Sequence, residues 1–269
     1  MTRPRRLYCD GPFGQLHVQD TGGDGVPLVL CAQAPMSSRQ FSCVMMPLAA
    51  RGIRAIGVDT PGFGMSDPPP FVPRIEDYAK AIPAALDGLN LNQAHILGHH
   101  TGALIATEVA VSVPERVMSL VMNGPLPLSA EERAEFMKMV DNFERPFTGK
   151  RDGSHLIDWW KRRSSFVHGD TDWNLMTRYV CEPLVGLGPF WYGHHAAFLY
   201  DHAASIARVT QPTLILTNTG DQIYEQAQLT RKMRPDFAYA EIEGGGIDIV
   251  DERPDAWVAA VGEFVLKRI

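Results

Sequence analysis

The chain has 269 residues, 45% of them hydrophobic and 21% charged, with a formal net charge of -6. Such a length holds one large α/β domain or two small ones with an ample core, and the acidic balance argues against nucleic-acid and anionic-membrane partners, which demand basic patches. Cys9, Cys31, Cys43 and Cys181 lie far apart with no CxxC pair, which excludes a disulfide framework or zinc knuckle and fits a reducing compartment.

In chain order, the basic start Met1-Thr-Arg-Pro-Arg-Arg6 leads into no apolar run, and no stretch approaches the roughly 20 apolar residues of a membrane span. A soluble, cytoplasmic protein is expected. Residues 7–10 and 16–20 read as a hairpin across the Gly11-Pro-Phe-Gly14 turn. Runs rich in Val, Ile and Leu follow at 26–32, 54–59, 94–97, 117–122, 212–217 and 237–242. They suit parallel strands covered on both faces. Helical spacing marks 75–89, an Ala-rich 104–111 and 254–266, the last with Pro254 in its first turn. A hairpin leading into βαβ units predicts a mixed, mostly parallel sheet with helices on both faces. The alternation stops at 126–208, a helical, aromatic stretch with Phe136, Trp159, Trp160, Phe166, Trp173 and Phe190 and five of the nine histidines. An insertion of that length is expected to be a helical lid between strands 6 and 7, leaving 1–125 and 209–269 as the core.

Four motifs stand in order along this framework. They are Asp59-Thr-Pro-Gly-Phe-Gly-Met-Ser-Asp67, Gly98-His-His-Thr-Gly102, Thr213-Leu-Ile-Leu-Thr-Asn-Thr-Gly-Asp221, and Glu241-Ile-Glu-Gly-Gly-Gly-Ile-Asp248 followed by Glu252-Arg-Pro254. Their order resembles the α/β-hydrolase superfamily over nearly the whole chain. The resemblance implies the α/β-hydrolase fold, with the second motif as the nucleophile elbow G-x-Nuc-x-G. It makes Gly98 and Gly102 the elbow backbone and Asp221 the acid of a triad. It also places Gln33, Ala34 and Thr101 around the oxyanion position, although the family's His-Gly after the third strand is replaced by Ala32-Gln33.

Two departures bear on chemistry. The elbow presents His100 where the family's mechanisms use Ser, Cys or Asp. Ile247 stands where the family's base belongs, and the last histidine of the chain is His202, so a Ser-His-Asp triad cannot be completed in the family's order. A histidine at the elbow reaches beyond a serine hydroxyl, and Ile247 leaves room for its ring. His100 is therefore expected to bond Asp221 and to act as a general base through its other nitrogen. The competing expectation is a polar residue left at a dead elbow.

His99 should point away from the pocket and serve structure, while Trp191, Tyr192, His194 and His195 are candidate lid contacts, with surface or aromatic packing the favoured role for His194 and His195. Ser66 lacks an elbow context, Cys31 suits a small buried hydrophobe, and Asp248 reads as a solvated loop carboxylate. The Gly244-Gly245-Gly246 run implies no nucleotide. A metal held by His99, His100, Asp221 and Asp248 finds no supporting ligand spacing, so neither metal nor cofactor is expected. The leading function is a cofactor-free enzyme on a small, mostly apolar substrate. Hydrolysis by activated water is one version, and elimination, isomerisation or C–C cleavage by proton abstraction is another. The alternatives are a ligand binder or sensor that has lost the triad and, behind it, a structural protein. The partner is a small molecule, with no nucleic acid and no membrane, and pairing as a homodimer stays open.

Overall fold

The structure is a computed structural model in which residues 3–166 and 172–267 are described. Eight strands form one sheet: β1 Arg5–Gly11, β2 Gly14–Asp20, β3 Val26–Cys31, β4 Ile53–Val58, β5 Ala94–His99, β6 Val117–Asn123, β7 Thr213–Asn218 and β8 Ala238–Ile242. Their spatial order is β1-β2-β4-β3-β5-β6-β7-β8. The hairpin pairs antiparallel, with Leu7 opposite Val18, and β2 is antiparallel to β4. Every later pairing is parallel. All six residues of β5 and of β7 are buried, as expected where helices cover both faces of a parallel sheet.

The helices are α1 Met45–Ala50, α2 Ile75–Ala79, α3 Ala81–Gly88, α4 Thr101–Ser112, α5 Ala130–Met139, α6 Ser154–Ser164, α7 Trp173–Cys181, α8 Tyr192–Leu199, α9 His202–Ile206, α10 Tyr224–Met233, α11 Ile249–Glu252 and α12 Pro254–Leu266. One expectation is corrected here. The stretch 75–89 forms two helices, α2 and α3, instead of one. Pro83 has no N–H to offer the Ala79 carbonyl, and its ring would strike that carbonyl in a continuous helix, so the chain breaks at Lys80. Helix α4 also begins earlier than the Ala-rich core of its pattern, directly after His100.

Two apolar layers sandwich the sheet. Ile75, Tyr78, Ile82, Leu86, Leu104 and Val109 pack with Val29, Ile56 and Ile96 on one face. Met45, Leu48, Trp257, Val261 and Val265 pack with Leu28, Leu30 and Leu97 on the other. Trp257 is fully buried and its indole N–H donates to Asn123 Oδ1 at 2.7 Å, which anchors α12 beneath the end of β6. Between β6 and β7 run α5, one turn of π-helix at Val140–Glu144, and α6 to α9. The parallel strands all end at one edge of the sheet, where Gln33, His100, Asp221 and Ile247 follow β3, β5, β7 and β8. No helix among the described residues is long and apolar enough to cross a membrane.

Candidate active site

The turn from β5 into α4 sets the geometry. Gly98 and Gly102 meet across it so closely that a Cβ on Gly98 would overlap the Gly102 carbonyl, and one on Gly102 would overlap the Cys31 carbonyl. His100 between them adopts φ 48° and ψ −113°, left of the usual range for a residue with a Cβ. Such a backbone costs about 1–3 kcal/mol and persists only when its surroundings hold it. Here the His100 N–H donates to the Asn123 carbonyl at 2.8 Å, while its own carbonyl accepts from Ala103 N–H at 2.7 Å. Gly124, at φ +72°, leaves room for the ring, since a Cβ there would run into it.

The structure brings His100 and Asp221 together, with Nε2 2.8 Å from Asp221 Oδ2. The Asp221 side chain is fully enclosed, and its Oδ1 accepts from Ile223 N–H at 3.1 Å. Burial alone would raise this carboxyl, but His100 and the Ile223 N–H outweigh it and hold Asp221 below the usual carboxylate range. An ionised Asp221 only accepts, so Nε2 carries the proton and the lone pair of the neutral ring sits on Nδ1. His100 Nδ1 bonds to no described residue, and the ring lines a cavity of about 190 Å³.

Gln33, Ala34, Thr101 and Ile247 also line that cavity. The backbone N–H groups of Ala34 and Thr101 donate to no described residue. His99, expected to point away from the pocket, does not line the cavity. It is wholly buried, Gln40 Nε2 and its Nδ1 lie 2.8 Å apart, and its Nε2 has no partner. Burial drives its pKa well below 6.5, aided by His100, whose ring centroid lies 4.4 Å away. Of the four aromatic and histidine positions expected from above, only His194 lines the cavity. Trp191 is turned aside, stacked under Arg145 at 4.5 Å and edge-on to Tyr192 and His195. The hydroxyl of Ser66 is fully buried and bonded to the Asp59 carbonyl at 2.8 Å.

Asp248 is not a solvated loop carboxylate. It is 3% exposed, ion-paired to Arg163 of α6 and 3.5 Å from Gln33 Nε2. The loop after β8 folds inward because α6 supplies the counter-charge, a contact 85 residues away in sequence. Burial pushes the Asp248 carboxyl up, and Arg163 only partly offsets it.

The helical segment contributes charges that the sequence pattern did not single out. Glu144, Arg162, Arg163 and Tyr179 line the cavity with Phe136, Trp159 and Phe198. Glu144 is 2% exposed and bonds His194 Nδ1 at 2.8 Å. Burial would depress His194, but Glu144 outweighs it and holds the imidazole above its usual 6.5, with the Ala34 backbone assisting. The signal for Arg162 and Arg163 was present in Trp159-Trp-Lys-Arg-Arg163, yet a basic triplet on an amphipathic helix normally reads as a solvated face. Among the described residues no group of three or more His, Cys, Asp or Glu is placed to hold a metal ion.

Residues 26–245 match the family model described as the alpha/beta hydrolase fold. The chain belongs to the α/β-hydrolase family. Among curated members it is 34% identical over 114 residues to a 2-hydroxy-6-oxononadienedioate/2-hydroxy-6-oxononatrienedioate hydrolase of a Pseudomonas species, covering 41% of this chain and 40% of that protein. It is 35% identical over 134 residues to a haloalkane dehalogenase of Mycolicibacterium paratuberculosis, covering 47% and 40%. These matches span about two-fifths of each relative. Among solved α/β-hydrolases, an epoxide hydrolase from Mycobacterium thermoresistibile superimposes with TM-score 0.77 at 20% identity, covering 98% of both chains. An esterase from Exiguobacterium antarcticum does so with TM-score 0.80 at 18% identity, covering 97% of this chain and all 100% of that one.

Proposed function

We propose that this α/β-hydrolase is an enzyme that uses His100, held by Asp221, as a general base on a small and largely apolar substrate, without a covalent acyl intermediate and without a cofactor. The observation that carries the reading is the 2.8 Å bond from Nε2 to Asp221, which leaves the Nδ1 lone pair to the cavity. No Ser, Cys or Asp is among the described residues lining the cavity, so the usual side-chain nucleophiles are missing from its wall. In hydrolysis, water loses its proton to His100 Nδ1 as its oxygen adds to the substrate carbonyl. The oxyanion rests on the Ala34 and Thr101 N–H groups. The imidazolium, stabilised by Asp221, then returns the proton to the leaving group as the tetrahedral intermediate collapses.

The cavity sets the size. A void of about 150 Å³ takes a benzene molecule, so about 190 Å³ holds a ring with a small substituent. In this reading the helical segment between β6 and β7 works as a lid that keeps bulk water out. The same base can take a proton from an acidic C–H, and a lyase or isomerase is the second reading. It is favoured by the absence of Ser, Cys and Asp from the described residues lining the cavity, since proton abstraction needs no side-chain nucleophile.

The test is turnover of a panel of small aryl and alkyl esters by the wild type and the His100→Ala and Asp221→Asn variants, with intact mass recorded during turnover. Loss of about 10³-fold or more in both variants, with no mass adduct at any time, is expected. An acyl-enzyme adduct, or turnover indifferent to His100, overturns the proposal.

A further inference from the structure

Not every donor around the cavity is used. Glu144 is bonded to His194, Asp248 to Arg163, and Asp221 to the neutral ring of His100, and Glu144 also acts on Arg162 through space. Arg162, on the same wall, has neither an ion pair nor a hydrogen bond to any described residue. Its one polar contact is the face of the Phe143 ring, 4.9 Å from the guanidinium carbon. Arg163, next to it, spends Nη2 on Asp248 and leaves Nη1 buried without a partner. Two guanidinium groups on consecutive residues of α6 thus keep donors that no described residue accepts, on the wall of a mostly apolar space.

Arg162 and Trp159 also form the wall shared with a second, more open cleft of about 490 Å³, lined by Lys150, His155, Asp158 and Lys161 among others. Lys150 is neutralised there by Asp158 at 3.4 Å. Lys161 and Arg162 make no ion pair there with any described residue.

We infer that Arg162 and Arg163 are the seat for a carboxylate, and that the substrate is a small apolar monocarboxylic acid anion. The inference rests on reading this cavity as the substrate site. A planar carboxylate fits guanidinium donors in pairs, and it can accept from Arg163 Nη1 and from the Arg162 fork, which no described residue occupies. A phosphate dianion would bring a second negative charge in among Glu144, Asp248 and Asp221. With the carboxylate on α6 at the top of the cavity, the apolar body extends past Phe136, Trp159 and Phe198. The reacting bond then faces His100 Nδ1 at the strand ends. This arrangement lets a ring-sized molecule bind in one orientation without a hydrogen bond from every side.

Binding can be read without turnover. Phenylacetate and its uncharged isostere phenylacetamide are titrated into the protein, with calorimetry or the fluorescence of Trp159 as readout. The wild type is expected to prefer phenylacetate by about ten- to a hundredfold. The preference should disappear in Arg162→Gln and survive in part in Arg162→Lys. It should be kept in His100→Ala, so a failure of the catalytic reading remains distinguishable from a failure of this one. Equal affinity for the two probes, no measurable binding of phenylacetate, or a preference that survives Arg162→Gln overturns the inference.

Discussion

The cavity has a floor and a roof built on different principles. The floor is backbone. His100, Asp221, Ala34 and Thr101 stand on strand ends and a helix start, fixed by the parallel ladder and by glycines that admit no side chain. The roof is held by side chains. Arg163 of α6 grips Asp248, Arg178 and Tyr179 of α7 grip Asp251, and Glu144 grips His194 within the helical segment itself. A floor of this kind keeps a reactive geometry within tenths of an ångström. A roof held by a few buried ion pairs has no such backbone lattice, and losing one partner leaves a buried charge that loosens it locally. On the proposed function, this places rigidity where the proton is transferred and looser packing where the ligand passes.

The largest expected effect breaks the floor. Gly102→Ala forces a Cβ into the Cys31 carbonyl with no flexible side chain to yield, and should cost about 4 kcal/mol or more, read as loss of the cooperative transition in denaturant unfolding. Asp221→Asn keeps the shape and reverses the hydrogen bond, since the amide can donate to Nε2 and drive the ring proton to Nδ1. Turnover should fall by about 10³- to 10⁴-fold with circular dichroism unchanged.

These two sites were legible for a physical reason. Floor residues sit at fixed offsets from strands, and strands announce themselves through runs of Val, Ile and Leu. Gly98-His-His-Thr-Gly102 and Asp221 follow such strands, and the resemblance to the α/β-hydrolase superfamily marked them as the elbow and the acid, while the absence of any histidine after His202 drew attention to His100. The roof offers no such frame. Arg163 meets Asp248 across 85 positions and Arg178 meets Asp251 across 73, and no local period reports such pairs. Asp248 for that reason read as a solvated carboxylate, and Arg162 and Arg163 were not singled out. The single helix expected over 75–89 failed on a local rule, the missing N–H of Pro83, that apolar spacing does not register.

Smaller effects separate roof from floor. Asp248→Asn leaves Arg163 without its counter-charge and should cost about 3 kcal/mol. Hydrogen exchange should quicken in α6 while β5 and α4 keep their protection. Equal loosening of both regions would erase the distinction. The smallest effect depends on pH. The folded pKa of His194 stands above 6.5 because of Glu144, so the imidazolium contributes stability that is whole below pH 6.5 and is lost as pH rises through the folded value. The melting temperature of the wild type should decline over that interval by a few degrees more than that of His194→Gln.

The most direct test of the account is the protonation of one ring. Nitrogen-15 NMR of the imidazole of His100 in its neutral form should show Nε2 protonated and Nδ1 bare. The Nε2 proton should resonate far downfield and move when Asp221 becomes Asn. A bare Nε2, or a spectrum unmoved by Asp221→Asn, would show that no base is aimed into the cavity and would contradict the account.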